Sequence, residues 1–573
     1  MDVAPPPAAR PGPSLGTEFD RVMRHPRLAL VLLCLALWLP GFFTLPATDR
    51  DESRFAQATR QMLDSGDYVR IRVGAEERNK KPAGIHWLQA GAVHAVEALG
   101  AGDRTQIWPY RLPSLLGALL AVLATFEFGR ALVGRRAALL GAAMLGSCMV
   151  LVAEAHIAKT DAALLASITA AMGLLGLAYL RPRAFTARQA AGFWLALGIS
   201  VLLKGPIGPL VALLTGVTLA IVDRRAAVRG PLHAPWLRAL RPAWGILLML
   251  AAAAPWFIAI GIATEGRFFA EAVGEDMLAK VGSGEERHWG PPGFYLATFG
   301  ITAFPAAFLV LLALPGAWAA RLHPPTRFLL AWIVPAWLLF EAVQTKLPHY
   351  TLPAYPALML LGAAWALHPL RGVPPRWLRA LAWVALAGVA AGLPLAALAA
   401  AIWLSPAALP GALLAVPAAA ALGWVTLRAW RQRAWGRAGF AAVLLAVPLY
   451  AAVLEGVAPR LAPLWIAPRL AAALAQAAPG LDGAAFGITG HAEPSVQFAI
   501  GEGTALLRRG EDAARFLAAA PARHVVAVGD RAIADFRREA AAIGLAPREV
   551  GSVSGFNYTR GRWVTLTLFR GPA

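Results

Sequence analysis

The sequence is poor in cysteine and in acidic residues, and each scarcity excludes a class of protein. Its 573 residues include two cysteines, Cys34 and Cys148, both inside apolar runs. These exclude a disulfide framework and a CxxC metal site. The 33 acidic residues are outnumbered by 53 basic ones, so the formal net charge is +20. In a soluble protein that excess would suggest a nucleic-acid partner, but the placement of the basic residues indicates another cause.

Apolar residues dominate the chain. Hydrophobic residues make up 58% of it, whereas a soluble globular protein has about 45–50%. The sequence therefore predicts a polytopic membrane protein. Arginine clusters follow every second apolar run, as the positive-inside rule expects of cytoplasmic loops, and this explains the net charge without nucleic acid. Runs long enough to span a bilayer are predicted at thirteen places, near 28–46, 109–132, 137–155, 160–180, 188–203, 205–222, 243–263, 293–314, 326–343, 351–368, 378–403, 407–429 and 437–457.

An odd number of spans puts the N-terminus in the cytoplasm and the C-terminus outside. Residues 1–27 are then a cytoplasmic tail, and the first apolar run is a retained signal-anchor. The predicted membrane domain covers 28–460, with a first outer loop at 47–108 and a flexible outer loop at 264–292. In 461–573, short β-like runs alternate with a helical pattern, which predicts a small outer α/β domain. These segments are Ala485–Thr489, His524–Val528, Trp563–Phe569 and the helix Ala532–Ile543.

The first outer loop holds the one long polar stretch of the first 100 residues, from Asp49 to Trp87. Three apolar residues recur there at helical spacing, and they predict an amphipathic helix on the membrane surface that Gly66 ends. A second helix is expected after Pro82. The predicted helix faces are Phe55, Ala58 and Met62 in the first helix, and Ile85, Leu88 and Ala92 in the second.

Lysine is scarce as well, and its positions indicate a function. All six lysines fall on the predicted outer side: Lys80, Lys81, Lys159, Lys204, Lys280 and Lys346. A compact ammonium group suits a phosphate, so we expect at least two of them to contact an anionic lipid head group.

Carboxylates lie on the same predicted side. Asp51 and Glu52 open the first-loop helix, where the helix dipole alone could explain them and Arg54 could be a surface partner. Asp161, at the mouth of a span, could simply cap the next helix. Carboxylates and lysines that converge on one face favour a cavity, because ionisable groups at a membrane boundary usually face one.

Two later outer segments add candidates. The loop 264–292 carries Lys280 and His288, although a lone histidine is usually only a polar group. The turn 345–353 carries Lys346 and Tyr350, and Tyr350 could instead belong to an interfacial aromatic belt.

Several motifs resemble those of a known family. D-E-S-R-F-A-Q-A-T-R-Q-M-L-D-S-G-D-Y followed by K-K-P-A-G-I-H-W, then L-L-K-G-P-I-G at 202–208, R-H-W-G-P-P-G-F-Y at 287–295 and T-K-L-P-H-Y-T-L-P at 345–353 resemble, in the same order, the polyprenyl-phosphate-dependent GT-C glycosyltransferases. The similarity is to the protein O-mannosyltransferase-like family, especially its aminoarabinose lipid A transferase branch, and it covers roughly residues 28–365. It implies an α-helical polytopic membrane protein of GT-C type with amphipathic helices in the first outer loop and a small C-terminal α/β domain.

The resemblance also implies an activity. A sugar would move from a polyprenyl-phosphate donor to a lipid A-like lipid, a glycan or a protein on the periplasmic face of a bacterial inner membrane, with membrane lipid but no nucleic acid as a partner. Carried over by position, the catalytic residues would be Asp51, Asp161 and Glu52. The lipid phosphate would be held by Lys81, Lys280, Arg54 and Lys80. The substrate cavity would be lined by Lys204, His288, Lys346, Tyr350 and Tyr295.

The chain departs from the aminoarabinose branch at two positions. Lys80 stands where that branch has the Glu of an E-K-P triplet, so no metal ligand or other cofactor is assigned and dependence on a divalent metal stays open. The segment G-E-D-M-L-A-K replaces an E-H-x-x-R pattern, which leaves Lys280 as the substitute for the arginine. Both differences argue against the narrow lipid A activity.

The predicted chemistry is a single displacement with inversion at the anomeric carbon. Lys81 and Lys280 would stabilise the leaving phosphate, and Asp51 would act as base for a hydroxyl acceptor. Three alternatives stay open. A flippase or transporter should show repeats or helices broken inside the membrane, for which Lys204-Gly205-Pro206 is the one candidate; an O-antigen ligase should have a very large late outer loop; and in a non-catalytic sensor Asp51 and Asp161 would be dispensable.

Overall fold

The computed structural model describes residues 23–227, 234–272, 274, 290–368 and 372–572. Its first part is helical apart from one short hairpin. The elements up to the last long apolar helix are α1 (Pro26–Trp38), α2 (Asp51–Ser65), β1 (Arg72–Val73), β2 (Glu76–Glu77), α3 (Gly84–Ala98), α4 (Trp108–Val133), α5 (Arg135–Ser147), α6 (Met149–Ala155), α7 (Asp161–Leu180), α8 (Ala187–Lys204), α9 (Ile207–Ala227), α10 (Pro235–Ala239), α11 (Pro242–Ala263), α12 (Arg267–Phe269), α13 (Phe294–Thr302), α14 (Ala307–Ala319), α15 (Pro324–Ala342), α16 (Tyr355–Leu367), α17 (Arg376–Leu404), α18 (Leu409–Arg431) and α19 (Trp435–Leu454).

Each of the thirteen predicted spans coincides with a helix or with two consecutive helices. Within the described ranges, seven helices are long and apolar enough to cross a membrane, or eight if the bent pair α5–α6 counts as one span. Large apolar side chains on these helices are exposed, for example Leu247 and Ile262 on α11. A bilayer is the environment in which such faces are stable. The chain is a multi-pass membrane protein, and the count of thirteen spans stays a prediction.

Two predicted spans are broken, whereas the sequence offered one candidate break, Lys204-Gly205-Pro206, at a boundary between spans. The helices α5 and α6 meet at Cys148 with a bend of 61°, and residues 303–306 separate α13 from α14. The two breaks were not predicted because an apolar run shows only that a segment is buried in lipid or protein. It does not show whether the helix axis continues straight.

The first-loop helices form where the sequence predicts them. Helix α2 ends at Gly66, whose φ of +71° gives the left-handed cap that glycine adopts freely. Its residues Ala58 and Met62 pack against Trp256 of α11, within an apolar cluster of the protein itself. In α3 the predicted face was wrong in part, because Leu88 is 48% exposed. The buried face lies one position further round the helix, along Ile85, Gln89, Val93 and Val96.

Two close backbone contacts bring the first loop and the spans together. A Cβ on Gly84, the first residue of α3, would lie 2.6 Å from the carbonyl oxygen of Leu202, so α3 begins against the end of α8. A Cβ on Gly117 of α4 would lie 2.6 Å from the backbone of Ala163, so α4 and α7 are in direct contact. Both contacts need glycine, and they place Lys81, Asp161 and Lys204 in one region.

The C-terminal part is the predicted α/β fold. Its five-stranded sheet has the order β4-β3-β5-β7-β6, with β3 parallel to β4 and β5, and with β7 antiparallel to β5 and β6. The three predicted strands and the predicted helix are present, and three further helices cover the sheet. The elements are α20 (Ile466–Ala477), β3 (Phe486–Thr489), α21 (Pro494–Ile500), β4 (Ala505–Leu506), α22 (Gly510–Ala519), β5 (Val525–Gly529), α23 (Ile533–Ala542), β6 (Arg548–Asn557) and β7 (Arg562–Arg570).

Candidate active site

Asp51 is the first residue of α2, at the end of the helix where the dipole favours a negative charge. Its side chain is 45% exposed, and its Oδ1 lies 3.6 Å from Nη1 of Arg54. Burial acts to raise the pKa of Asp51, but the charges of Lys81, Lys159 and Arg54 outweigh it and hold the pKa below its usual value. Asp51 is therefore an ionised and accessible carboxylate at neutral pH.

Lys81 lies between the β1–β2 hairpin and α3, over the ring of Phe55, with 5.1 Å from Nζ to the ring centroid. His86 stacks on the same ring at 5.4 Å between centroids. Burial and the charge of Lys204 lower the pKa of Lys81 to about 8, against the opposing effect of Asp51 and Asp161. Lys81 thus shares an electrostatic environment with both predicted catalytic aspartates.

A network of ion pairs lies beside Asp51 and Lys81, at the N-terminal end of α7. Lys204 Nζ lies 2.5 Å from Asp161 Oδ1. Lys159 Nζ lies 2.9 Å from Glu154 Oε1 and 3.7 Å from Asp161 Oδ2. The ring of His349 lies between the carboxylates, 3.6 Å from Glu154 and 3.7 Å from Asp161. Asp161 is only 10% exposed, so its charge is largely committed to these lysines.

The turn before α7 is held in place by the neighbouring span. The hydroxyl of Ser114 on α4 donates to the carbonyl oxygens of Ile157 and Lys159, at 2.7 and 3.1 Å. This fixes the backbone from which Lys159 and Asp161 project. Glu154, the buried carboxylate that holds Lys159, was not predicted, because it lies at the end of the apolar run 137–155 that the sequence predicts as a span.

Tyr350 lines the same region. Its ring lies 5.3 Å from Lys204 Nζ and edge-on to His349 at 5.1 Å between centroids. Burial lowers the pKa of His349 well below its usual value, so the ring is neutral at physiological pH. The turn 345–353 therefore lies beside Asp161 and Lys204, on the side where the sequence predicts it.

Glu52 has a different environment from Asp51. Its carboxylate is fully buried and accepts hydrogen bonds from Arg111 at 2.8 and 3.1 Å, from Ala158 N at 3.0 Å and from Thr48 N at 2.8 Å. Arg111 also donates to the carbonyl oxygens of Phe42, Leu45 and Pro46. Burial acts to raise the pKa of Glu52, but Arg111 and these hydrogen bonds keep it below its usual value. With its oxygens occupied by protein donors, Glu52 is suited to positioning α2 and the turn before α7 rather than to meeting a substrate.

The remaining predicted residues are dispersed. Lys80 is exposed. Lys346 is buried, and its Nζ donates to the carbonyl oxygens of Glu341 and Val343 at 2.6 and 2.8 Å. It also lies 5.8 Å from the ring of Tyr295, so both belong to a neighbouring contact at the end of α15. Lys280 and His288 lie outside the described residues.

The described part of the chain contains no group of three or more His, Cys, Asp or Glu side chains that could hold a metal ion. The site is built instead from ammonium, guanidinium and carboxylate groups. Among the residues that the structure describes around Asp51, five basic side chains face three carboxylates, so an anion bound between them would meet a surplus of positive charge. The basic groups are Arg54, Arg78, Lys81, Lys159 and Lys204, and the carboxylates are Asp51, Glu154 and Asp161.

Comparisons with known proteins agree with this fold. Residues 25–269 match the family described as dolichyl-phosphate-mannose-protein mannosyltransferase. Over 447 residues the chain is 27% identical to the undecaprenyl phosphate-alpha-4-amino-4-deoxy-L-arabinose arabinosyl transferase of Pectobacterium carotovorum subsp. carotovorum (strain PC1), which spans 74% of this chain and 75% of that protein. The enzyme of the same name from Pectobacterium atrosepticum is 26% identical over 421 residues, 71% of either chain.

The fold has a counterpart among solved structures. The crystal structure of ArnT from Cupriavidus metallidurans bound to undecaprenyl phosphate superposes with a TM-score of 0.71 at 19% identity, covering 94% of this chain and 97% of that one. The chain is thus a membrane-embedded glycosyltransferase of the GT-C type. Within that class, it is similar to the ArnT-like arabinosyl transferases.

Proposed function

We propose that this enzyme transfers a sugar from a polyprenyl-phosphate-linked donor to an acceptor at the face of the membrane that carries the first loop. One observation carries the proposal: an open, ionised carboxylate, Asp51, lies among basic side chains at the mouth of the spans. Of the three acidic residues predicted as catalytic, Asp51 is 45% exposed, whereas Asp161 is 10% and Glu52 is 0% exposed. Asp51 is the carboxylate that an incoming acceptor can reach.

The geometry suggests a division of roles. Lys81 would bind the donor phosphate and stabilise the charge that develops on it as the sugar leaves. Asp161 holds Lys204 and Lys159 beside it, so these lysines are oriented before a ligand arrives. Asp51 would accept the proton of a hydroxyl acceptor that attacks the anomeric carbon from the opposite face. A single displacement of this kind inverts the anomeric configuration.

The relatives support the substrate class. Their names specify undecaprenyl phosphate as the carrier and an aminoarabinose as the sugar, and a solved neighbour holds undecaprenyl phosphate. We propose a lipid of the outer leaflet, such as a lipid A-like molecule, as the acceptor, with a glycan or protein as the alternatives. The corresponding location is the bacterial inner membrane, with a cytoplasmic N-terminus and a periplasmic C-terminal domain.

The test is transfer of labelled sugar from a polyprenyl-phosphate donor in vesicles. Asp51→Asn and Lys81→Ala should insert normally and lose at least about 100-fold in kcat/KM, the scale at which a base or a charge-stabilising group contributes. Lys80→Ala removes the adjacent but exposed lysine and should lose much less. Asp530→Asn, on the exposed surface of the C-terminal domain, is the matched control for the aspartate. Full activity of both site variants would overturn the assignment, and a product that keeps the donor's anomeric configuration would exclude single displacement.

A further inference from the structure

The two residues that precede Asp51 are held by the C-terminal domain. The backbone N–H of Asp49 donates to the hydroxyl of Tyr558 at 2.6 Å, and the hydroxyl of Ser495 donates to the Asp49 carboxylate. Nη2 of Arg50 donates to the carbonyl oxygen of Thr559 at 3.0 Å. Ser495, Tyr558 and Thr559 lie more than 440 residues further along the chain, so the contact joins two separately built parts of the protein.

The Asp49 carboxylate is enclosed by this contact. Its side chain is 8% exposed, and its Oδ2 lies 3.9 Å from Nε2 of the fully buried His491. The other ring nitrogen of His491 lies 3.2 Å from the side-chain amide of Asn557. Because the amide of Asn557 donates to Nδ1, the proton of the neutral ring is on Nε2 and faces Asp49. The C-terminal domain therefore presents one donating hydroxyl, that of Ser495, to this carboxylate, with the ring of His491 close behind it.

The backbone between these contacts is strained. Arg50 has φ +64° and ψ −108°, a combination that residues with a Cβ rarely adopt. Such a residue keeps its conformation only where surrounding contacts impose it. Arg50 is also the N-cap of α2, and it supplies no side-chain cap. The strained peptide leads directly into Asp51, so its conformation sets the direction in which the Asp51 side chain leaves the helix.

We propose that the C-terminal domain positions Asp51 by holding Asp49 and Arg50 in this strained conformation, with Ser495 and Tyr558 as positioning residues. The inference rests on the proposed function of Asp51. The domain thus takes part in the transfer step, and we expect kcat, rather than the affinity for the donor, to depend on these hydrogen bonds.

Other contacts keep the domain docked when these hydrogen bonds are removed. Phe498 of α21 packs edge-on against Tyr110 of α4, with 5.6 Å between ring centroids, and its carbonyl oxygen accepts a hydrogen bond from Arg60 at 3.1 Å. Trp403 of α17 packs against Phe556 at 5.3 Å. Substitution of Ser495 and Tyr558 should therefore free the segment without detaching the domain.

The experiment uses the full-length protein with the double substitution Ser495→Ala/Tyr558→Phe. Amide hydrogen exchange of residues 47–56, measured without substrate, should become faster, most clearly at the N–H groups of Ser53, which donates to Thr48 O, and of Arg54, which donates to Arg50 O. In the transfer assay, kcat should fall about tenfold or more, because small misplacements of a reacting group are costly, while the KM for donor stays within about twofold. The single substitution Ser495→Thr keeps the hydroxyl, so this variant, with Tyr558 unchanged, should retain most of the wild-type kcat.

Ser554→Ala is the matched control, because it removes a hydroxyl that bonds to Thr565 on the exposed side of the same sheet. It should change neither exchange nor kcat. Unchanged exchange in the double variant, or faster exchange with unchanged kcat, would overturn the positioning role. A wild type that transfers no sugar from any polyprenyl donor would overturn the proposed function instead, and the exchange result would still decide whether the domain holds the segment.

Discussion

Lys81 offers a prediction that depends on its electrostatic environment as well as on its identity. Burial and the charge of Lys204 lower its pKa to about 8, far enough that the free enzyme loses this charge within an accessible pH range. A sugar linked through a phosphodiester keeps its single negative charge over that range. The donor therefore binds a cationic Lys81 at low pH and meets a neutral amine at high pH.

The magnitude follows from the fraction of Lys81 that carries its proton. With a pKa of about 8, that fraction is about 0.9 at pH 7 and about 0.1 at pH 9, and an apparent dissociation constant scales with the inverse of the competent fraction. The apparent KM for donor should thus rise on the order of tenfold from pH 7 to pH 9. The kcat at saturating donor should change less, because a bound phosphate raises the pKa of Lys81 and keeps its proton in place.

The assay is transfer in vesicles at several pH values, with Lys81→Arg as the comparison. A guanidinium group stays charged throughout, so this variant should lose the alkaline rise in KM even if its affinity at pH 7 is lower. An alkaline rise that persists unchanged in Lys81→Arg would assign the titration to another group. A wild-type KM that stays flat to pH 10 would refute the argument that burial and Lys204 perturb Lys81.

Two further predictions concern the scaffold of the site. Glu52→Ala should destabilise the protein by about 3–5 kcal/mol, because it leaves the buried Arg111 charge without its partner. Thermal unfolding in detergent, followed by size-exclusion chromatography, measures this loss. Glu127→Ala removes an exposed ion pair and should change the unfolding transition little, so an equal loss of stability in both variants would contradict the argument. Gly84→Ala should lower both stability and kcat, since its Cβ would lie 2.6 Å from the backbone of α8. Gly91→Ala, on the same helix, has open space around it and should be tolerated. Equal tolerance of both substitutions would show that α3 can shift without cost to the site.

Much of the fold was predictable because the signals are local. Continuous apolar runs mark the spans, the spacing of Phe55, Ala58 and Met62 marks α2, and Gly66 marks its end. The strands of the C-terminal domain were predictable in the same way, from short β-rich runs between turns. The errors arose where a local pattern is ambiguous. The face of α3 was assigned to Leu88, and the break at Cys148 was not foreseen, because both depend on what packs alongside.

The candidate site was predicted in composition but not in arrangement. The motifs and the scarce lysines singled out Asp51, Lys81, Asp161 and Lys204 from the sequence, because charged groups beside a membrane are costly and therefore few. The part played by each carboxylate was not accessible in this way. Asp51 and Glu52 are neighbours in sequence, yet successive helical residues point in different directions, so one reaches the open site and the other the buried Arg111.

By itself, the sequence determined the class of protein, the apolar segments that form helices and the two first-loop helices, since each of these is specified by hydrophobicity or spacing over a few residues. Only the tertiary structure decided which charges meet. Glu154 and His349 are brought together across 195 positions of sequence, and Asp49 contacts Ser495 across 446. Such contacts depend on the packing of whole helices and of a separate domain, and no local pattern specifies them.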